Sequence, residues 1–92
     1  MKILINNQKI EVKYANTFFL RLFGLMGKRN INYGIVFPNC NSIHTFFMKE
    51  EIDVLMLNKN YQVKYIYQNL RKNKIIYKKG IKYVIELPKI LL

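Results

Sequence analysis

Cysteine, histidine, proline and glycine are all scarce in this 92-residue chain, which has one Cys, one His, two Pro, four Gly and no Trp. A single thiol, Cys40, excludes an internal disulfide framework and a metal site built from cysteines alone. So few Pro and Gly, beside 51% apolar residues, exclude a collagen-like repeat, a low-complexity linker and a disordered tail. No apolar run approaches the roughly 20 residues of a membrane span, so no membrane partner is expected. The N-terminal run Ile3-Leu4-Ile5 is too short for a signal-peptide core, which points to a cytoplasmic chain whose Cys40 stays reduced. The length allows one domain, residues 1–92, with one modest core.

Carboxylates are scarce as well. Sixteen Lys and Arg face five Asp and Glu, for a net charge of +11. Residues 1–58 carry seven basic and four acidic residues, whereas residues 59–92 carry nine and one. Between Asp53 and Glu86 there is no carboxylate. Such a balance favours acidic partners. A compositional cause competes with it: eleven Asn among many Ile, Lys and Tyr is what AT-rich codons produce. Basicity alone therefore does not assign a nucleic-acid partner.

What is present is mostly strand. Residues 2–5 are apolar, Asn6-Asn7 is turn chemistry, and Ile10, Val12 and Tyr14 alternate with charged residues, which predicts a hairpin over 2–14. Asn16-Thr17 can cap a helix, and Phe19, Leu22, Phe23 and Met26 follow helical spacing, so a two-turn helix is expected to end near Gly24. Gly34 to Phe37 predicts a strand stopped by Pro38. Residues 43–48 read as strand from their β-branched and aromatic content. Val54 to Leu57 is apolar throughout, as in a strand buried on both faces, and pairs across Asn58-Lys59-Asn60 with the alternating Tyr61, Val63, Tyr65 and Tyr67. A final strand pair is expected from residues 75–77 and 81–86. The fold class is α+β, mostly antiparallel β, as a small curled or barrel-like sheet with one short helix.

Cys40, His44 and Met48 are all potential soft ligands. On one strand they would share a face but lie about 13 Å apart, too far to share an ion, so no metal and no cofactor are expected. Cys40 and His44 as nucleophile and base, with Asp53, would make a hydrolase-like enzyme, but no motif surrounds the thiol and no basic neighbour activates it. The chain therefore points away from catalysis. Asp53 abuts an apolar strand and needs hydrogen-bond donors; Arg21 and His44 are the candidates. Residues 71–79 interleave basic and aromatic side chains, as single-strand binders do.

Arg21-Leu-Phe-Gly24-Leu25-Met26-Gly27, Ser42-Ile43-His44-Thr45-Phe46-Phe47-Met48, Ile52-Asp53-Val54, Asn58 to Val63 and Glu86-Leu87-Pro88 occur in an order that resembles the prokaryotic domain-of-unknown-function family numbered one-ninety-two, an uncharacterised ancient conserved region. The resemblance runs from about Ala15 to Pro88. It implies a compact β-rich domain with no established activity and hallmark positions at Arg21, Gly24, Leu25, Met26, His44, Met48 and Asp53. Members continue past Glu-Leu-Pro with a further strand, which this chain is expected to lack.

These residues define the expected site: a non-catalytic binding module with a polar centre around Arg21, His44 and Asp53, lined by Gly24, Leu25, Met26 and Met48. Its ligand would be a small molecule or a protein segment. The alternative is a nucleic-acid-binding module using residues 71–82. A strand at 81–86 left at an open edge, with the apolar Ile90-Leu91-Leu92 after it, would favour a weak homodimer restrained by lysine repulsion.

Overall fold

A computed structural model of the protein describes residues 2–5, 8–15, 24–25 and 32–88. Eight strands run through them: β1 (Lys2–Ile5), β2 (Gln8–Tyr14), β3 (Tyr33–Pro38), β4 (Ser42–His44), β5 (Ile52–Leu57), β6 (Val63–Leu70), β7 (Ile75–Tyr77) and β8 (Tyr83–Pro88). Six form one sheet in the order β1-β2-β3-β8-β5-β6, and β4 and β7 form a separate two-stranded ribbon.

The expected N-terminal hairpin forms, with β1 antiparallel to β2. So does the β5–β6 hairpin, where β5 is buried along its whole length and β6 is largely exposed. An apolar run without alternation suits a strand with neighbours on both sides and cover on both faces, and that is where β5 lies. The β2–β3 pair is parallel, so the sheet is mixed although antiparallel pairing dominates.

Three expectations are corrected, and a fourth falls outside the described residues. Among the described residues there is no helix; the predicted helix falls on residues 16–23, which lie outside them, and Gly24 and Leu25 form a turn. The sheet does not close: β1 and β6 stand at opposite ends of the strand order and do not pair. The strand expected over 43–48 ends at His44, because the backbone turns through Phe46 and Phe47, the latter at φ 63°. Finally, β7 and β8 do not pair with each other. β7 pairs with β4, and β8 lies between β3 and β5. The strand at 83–88 is thus central, and the open edge on which a homodimer was expected is absent there. Residues 90–92 lie outside the described residues.

Strand parity sorts the core. One face of the sheet carries Leu25, Ile35, Phe37, Val54, Met56 and Val84, with Met48 and with Ile43 from the ribbon; Ile76 of β7 packs against the same cluster. The opposite face carries Ile10, Val12, Val36, Leu55, Ile85 and Leu87. The ribbon therefore lies over the first face.

Gly34 fixes how closely β3 meets its neighbours. A Cβ at this position would sit 2.7 Å from Leu87 Cδ2, 2.9 Å from the Glu86 carbonyl oxygen and 3.0 Å from Val12 Cγ1. One of these is backbone and cannot swing away. Gly34→Ala is expected to destabilise the fold by about 1–3 kcal/mol, the usual range for overpacking. A lower denaturant midpoint with an unchanged slope is the result to look for.

Candidate functional site

Of the described sequence-derived site residues, Gly24, Leu25 and Met48 lie on one face of the sheet, and Asp53 and His44 lie elsewhere. Gly24 and Leu25 are buried on the Phe37 face, in contact with the carboxyl group of Glu86. Met48 belongs to the same cluster as Leu25. Asp53 is fully buried but lies opposite Leu87 in the β5–β8 register, so its side chain takes the other face. His44 is exposed on the ribbon. Arg21 and Met26 lie outside the described residues.

Asp53 has a local account. Between Ile52 and Val54 the pairing with β6 skips from Leu70 to Tyr67, so β6 holds one residue more than β5. Asn69, at φ 54°, is part of that bulge, and its N–H donates to Asp53 Oδ1 at 2.8 Å. A carboxylate receives an amide that the bulge takes out of the ladder. Cys40 is half-buried, and its thiol donates to the Ser42 carbonyl oxygen at 3.1 Å.

Sequence reasoning missed Glu86. It sits in the middle of β8, opposite Val54 and Ile35, and is only 7% exposed. Leu25 N–H donates to Glu86 Oε1 at 3.3 Å, and Gly24, at φ +52°, passes so close that a Cβ would lie 2.8 Å from that oxygen. Burial pushes the carboxyl up to about 7, with the Leu25 amide pulling the other way. The signal available was a lone acid in an otherwise apolar strand, the same one that drew attention to Asp53.

Thr45 was missed too. It is fully buried and takes part in five hydrogen bonds, one of them from Met48 N–H to its carbonyl at 3.4 Å. Its hydroxyl donates to the Arg71 carbonyl at 2.6 Å and accepts from Lys74 N–H at 2.9 Å. Its own N–H donates to the Lys74 carbonyl at 2.9 Å, and its carbonyl accepts from Asn73 N–H at 3.3 Å. One residue thereby ties the basic 71–74 loop to the end of β4.

That tie assembles an exposed surface. In the β4–β7 ribbon Ser42 stands opposite Tyr77 and His44 opposite Ile75, so these four side chains share a face, and all are exposed. Ile43 and Ile76 point the other way, into the core. Ile75 is 70% exposed and Tyr77 61%. His44 stacks on Phe46 with ring centroids 5.4 Å apart. Phe47 is 76% exposed, with a positive φ that a bulky residue adopts only under constraint. Arg71, Lys72, Lys74 and Lys79 flank β7 in the chain and are exposed as well.

Among the described residues no group of three His, Cys, Asp or Glu side chains could hold a metal ion. None of the helix length or apolarity needed to cross a membrane occurs in them either.

A family profile, DUF192, described as an uncharacterised ACR, matches residues 1–91. The chain belongs to the DUF192 family. A UPF0127 protein of Thermococcus sibiricus is 39% identical over 97 residues, covering 94% of this chain and 63% of the relative. A UPF0127 protein of Pyrococcus horikoshii is 40% identical over 86 residues, covering 86% and 73%. The chain thus spans under two thirds of the length of the Thermococcus relative. Among solved structures, a Novosphingobium aromaticivorans protein of unknown function matches at TM-score 0.76 and 15% identity, covering 96% of this chain and 71% of that one. A Sinorhizobium meliloti protein, described as a candidate transcription regulator, matches at TM-score 0.76 and 19% identity, covering 96% and 78%. These two likenesses establish a shared fold. Neither the family description nor the UPF0127 relatives' names assign a function.

Two outcomes follow from the buried polar groups. Folded Glu86 keeps its proton to about pH 7, against 4.5 for the ordinary group. Below 4.5 both states are protonated and the group costs nothing. As pH rises to 7 only the folded state holds the proton, so stability falls, and above 7 the loss is complete. Glu86→Gln should remove this slope, gaining up to about 3 kcal/mol on the parent between pH 4 and pH 8. Chemical denaturation at the two pH values measures it, and parallel pH profiles would contradict it. Thr45→Val should cost about 1–3 kcal/mol and speed hydrogen exchange at Asn73 and Lys74, because two bonds to the hydroxyl are lost in a buried place.

Proposed function

We propose that this DUF192 chain is a non-catalytic binding module, and that its ligand is single-stranded nucleic acid held on the outer face of the β4–β7 ribbon. The reading rests on one observation above all. The strand register puts His44, Ile75 and Tyr77 on a common exposed face, Phe46 stacks on His44, and exposed Phe47 and basic residues lie next to these strands in the chain. Apolar and aromatic side chains gathered on a surface mark an interaction site when they are contiguous. Rings give bases something to stack on, and Lys and Arg neutralise phosphates, so this mixture suits an anionic ligand that carries planar groups. The charge of residues 59–92, with one acid among nine bases, has the matching sign.

Of the residues first drawn into the polar site, His44 belongs to this surface. Gly24, Leu25, Met48 and Asp53 are buried, which fits them for holding the sheet and its covering turn rather than for touching a ligand. Catalysis is not part of the reading, since Cys40, His44 and Asp53 occupy a loop, an exposed face and the opposite side of the sheet.

Fluorescence anisotropy with a labelled single-stranded oligonucleotide tests it. Affinity should fall with salt, with a slope near −0.7 per phosphate neutralised. Tyr77→Ala and Phe47→Ala should each weaken binding by about 1–3 kcal/mol while leaving the salt slope alone. Lys74→Gln should reduce the slope by roughly one phosphate contact. Absence of binding at low salt by a folded protein would refute the proposal.

A further inference from the structure

Beside the aromatic face is a second feature that stacking does not use. A cleft of about 360 Å³ opens between residues 49–51, which follow the Phe47 turn, and the start of the β6–β7 connection. Lys49, Glu51, Arg71 and Lys72 line it. Arg71 Nε approaches Glu51 Oε2 at 3.9 Å. Three cations and one carboxylate leave the cleft with a net charge of +2.

We propose that this cleft is a binding site for a phosphomonoester dianion. Three properties of the cleft support that class. Its charge matches a phosphomonoester, which carries about −1.5 to −2 near neutral pH, better than a singly charged phosphodiester. Its volume lies in the lower part of the range of small-molecule sites, enough for a phosphate with the sugar or glycerol attached to it. Its floor is anchored as well, because the Arg71 carbonyl accepts the bond from buried Thr45 and the Lys74 amide donates to that same hydroxyl. The backbone that presents Arg71 and Lys72 is therefore fixed before a ligand arrives. Arg71 brings a guanidinium fork to the cleft, and arginine is suited to pairing with a phosphate.

Two sources supply such a group: a small free phosphomonoester, or the terminal phosphate of a strand lying on the neighbouring aromatic face. The second source rests on the proposed function; the cleft itself does not.

The test uses the whole chain and amide chemical shifts. Ribose 5-phosphate is expected to perturb Lys49, Glu51, Arg71 and Lys72, and dimethyl phosphate to bind at least roughly tenfold more weakly, a difference of about 1.4 kcal/mol. Arg71→Gln and Lys72→Gln should each weaken ribose 5-phosphate while leaving the melting temperature in place. A 5′-phosphorylated oligonucleotide binding more tightly than its 5′-hydroxyl twin, with the gain lost in Arg71→Gln, assigns the group to a strand end. Equal binding of the twins, with ribose 5-phosphate still bound, assigns it to a free small molecule. If neither oligonucleotide binds but ribose 5-phosphate does, the nucleic-acid reading fails and the cleft stands. Equal affinity for ribose 5-phosphate and dimethyl phosphate, or shifts that avoid these four residues, overturns the cleft as a phosphomonoester site.

Discussion

The position of β8 between β3 and β5 is the constraint on which the described structure depends. It joins the N-terminal part of the sheet, β1-β2-β3, to the C-terminal hairpin β5–β6, and no other described strand does so. Both of its faces are packed: Val84 and Glu86 meet the side covered by the ribbon, and Ile85 and Leu87 meet the other. Its place also explains Gly34, because β3 can approach β8 and β2 closely only where β3 has no side chain. Glu86 follows from the same geometry. A carboxyl on a central strand has no route to water except through whatever covers that face, and what covers it is the turn at Gly24 and Leu25.

Division of labour between buried and exposed polar residues is the second theme. Asp53, Glu86 and Thr45 are all buried, and each receives backbone amides: Asn69 for Asp53, Leu25 for Glu86 and Lys74 for Thr45. Buried polar groups need such partners, since an unpaired one costs free energy comparable to a lost hydrogen bond. Each of the three holds an irregular piece of backbone, namely a bulge, a turn and a loop. The exposed face of the ribbon has the opposite character. Its Ile75 and Tyr77 lack cover, and exposed cations flank β7 in the chain. Irregular segments fixed from beneath by Thr45 carry that face above the core.

Much of the sheet was legible from local pattern. Alternation in 9–14 and 61–67 and the unbroken apolar run at 54–57 each mark the strands that form there. Pairing was not legible where it is distant. Nothing in Ile75-Ile76-Tyr77 says that its partner is Ser42-Ile43-His44 rather than the strand six residues on. The parallel β2–β3 pair was missed for a like reason, since local pattern gave β2 only its hairpin partner β1 and gave β3 none. The stretch 43–48 misled because β-branched and aromatic residues favour strand, while Phe47 adopts a positive φ that composition does not announce. Site prediction divided along the same line. A single acid beside an apolar strand drew attention to Asp53, which is buried and takes an amide from Asn69, and the same signal was overlooked at Glu86. His44 was visible because it is the only histidine, but its exposure came from the register of a ribbon that could not be foreseen.

The order of the strands has a further consequence for how the chain is made. Synthesis runs from β1 to β8, yet β8 fills the gap in the middle of the sheet. Until residues 83–88 have emerged, β3 and β5 each present a bare inner edge rich in isoleucine, valine and leucine, and the two hairpins have no strand to join them. Two-stranded hairpins are marginal alone, and contacts between segments far apart in sequence form slowly. A nascent chain therefore keeps one edge of β3 and one edge of β5 unpaired until residues 83–88 are made, and insertion of that six-residue strand joins the two parts of the sheet.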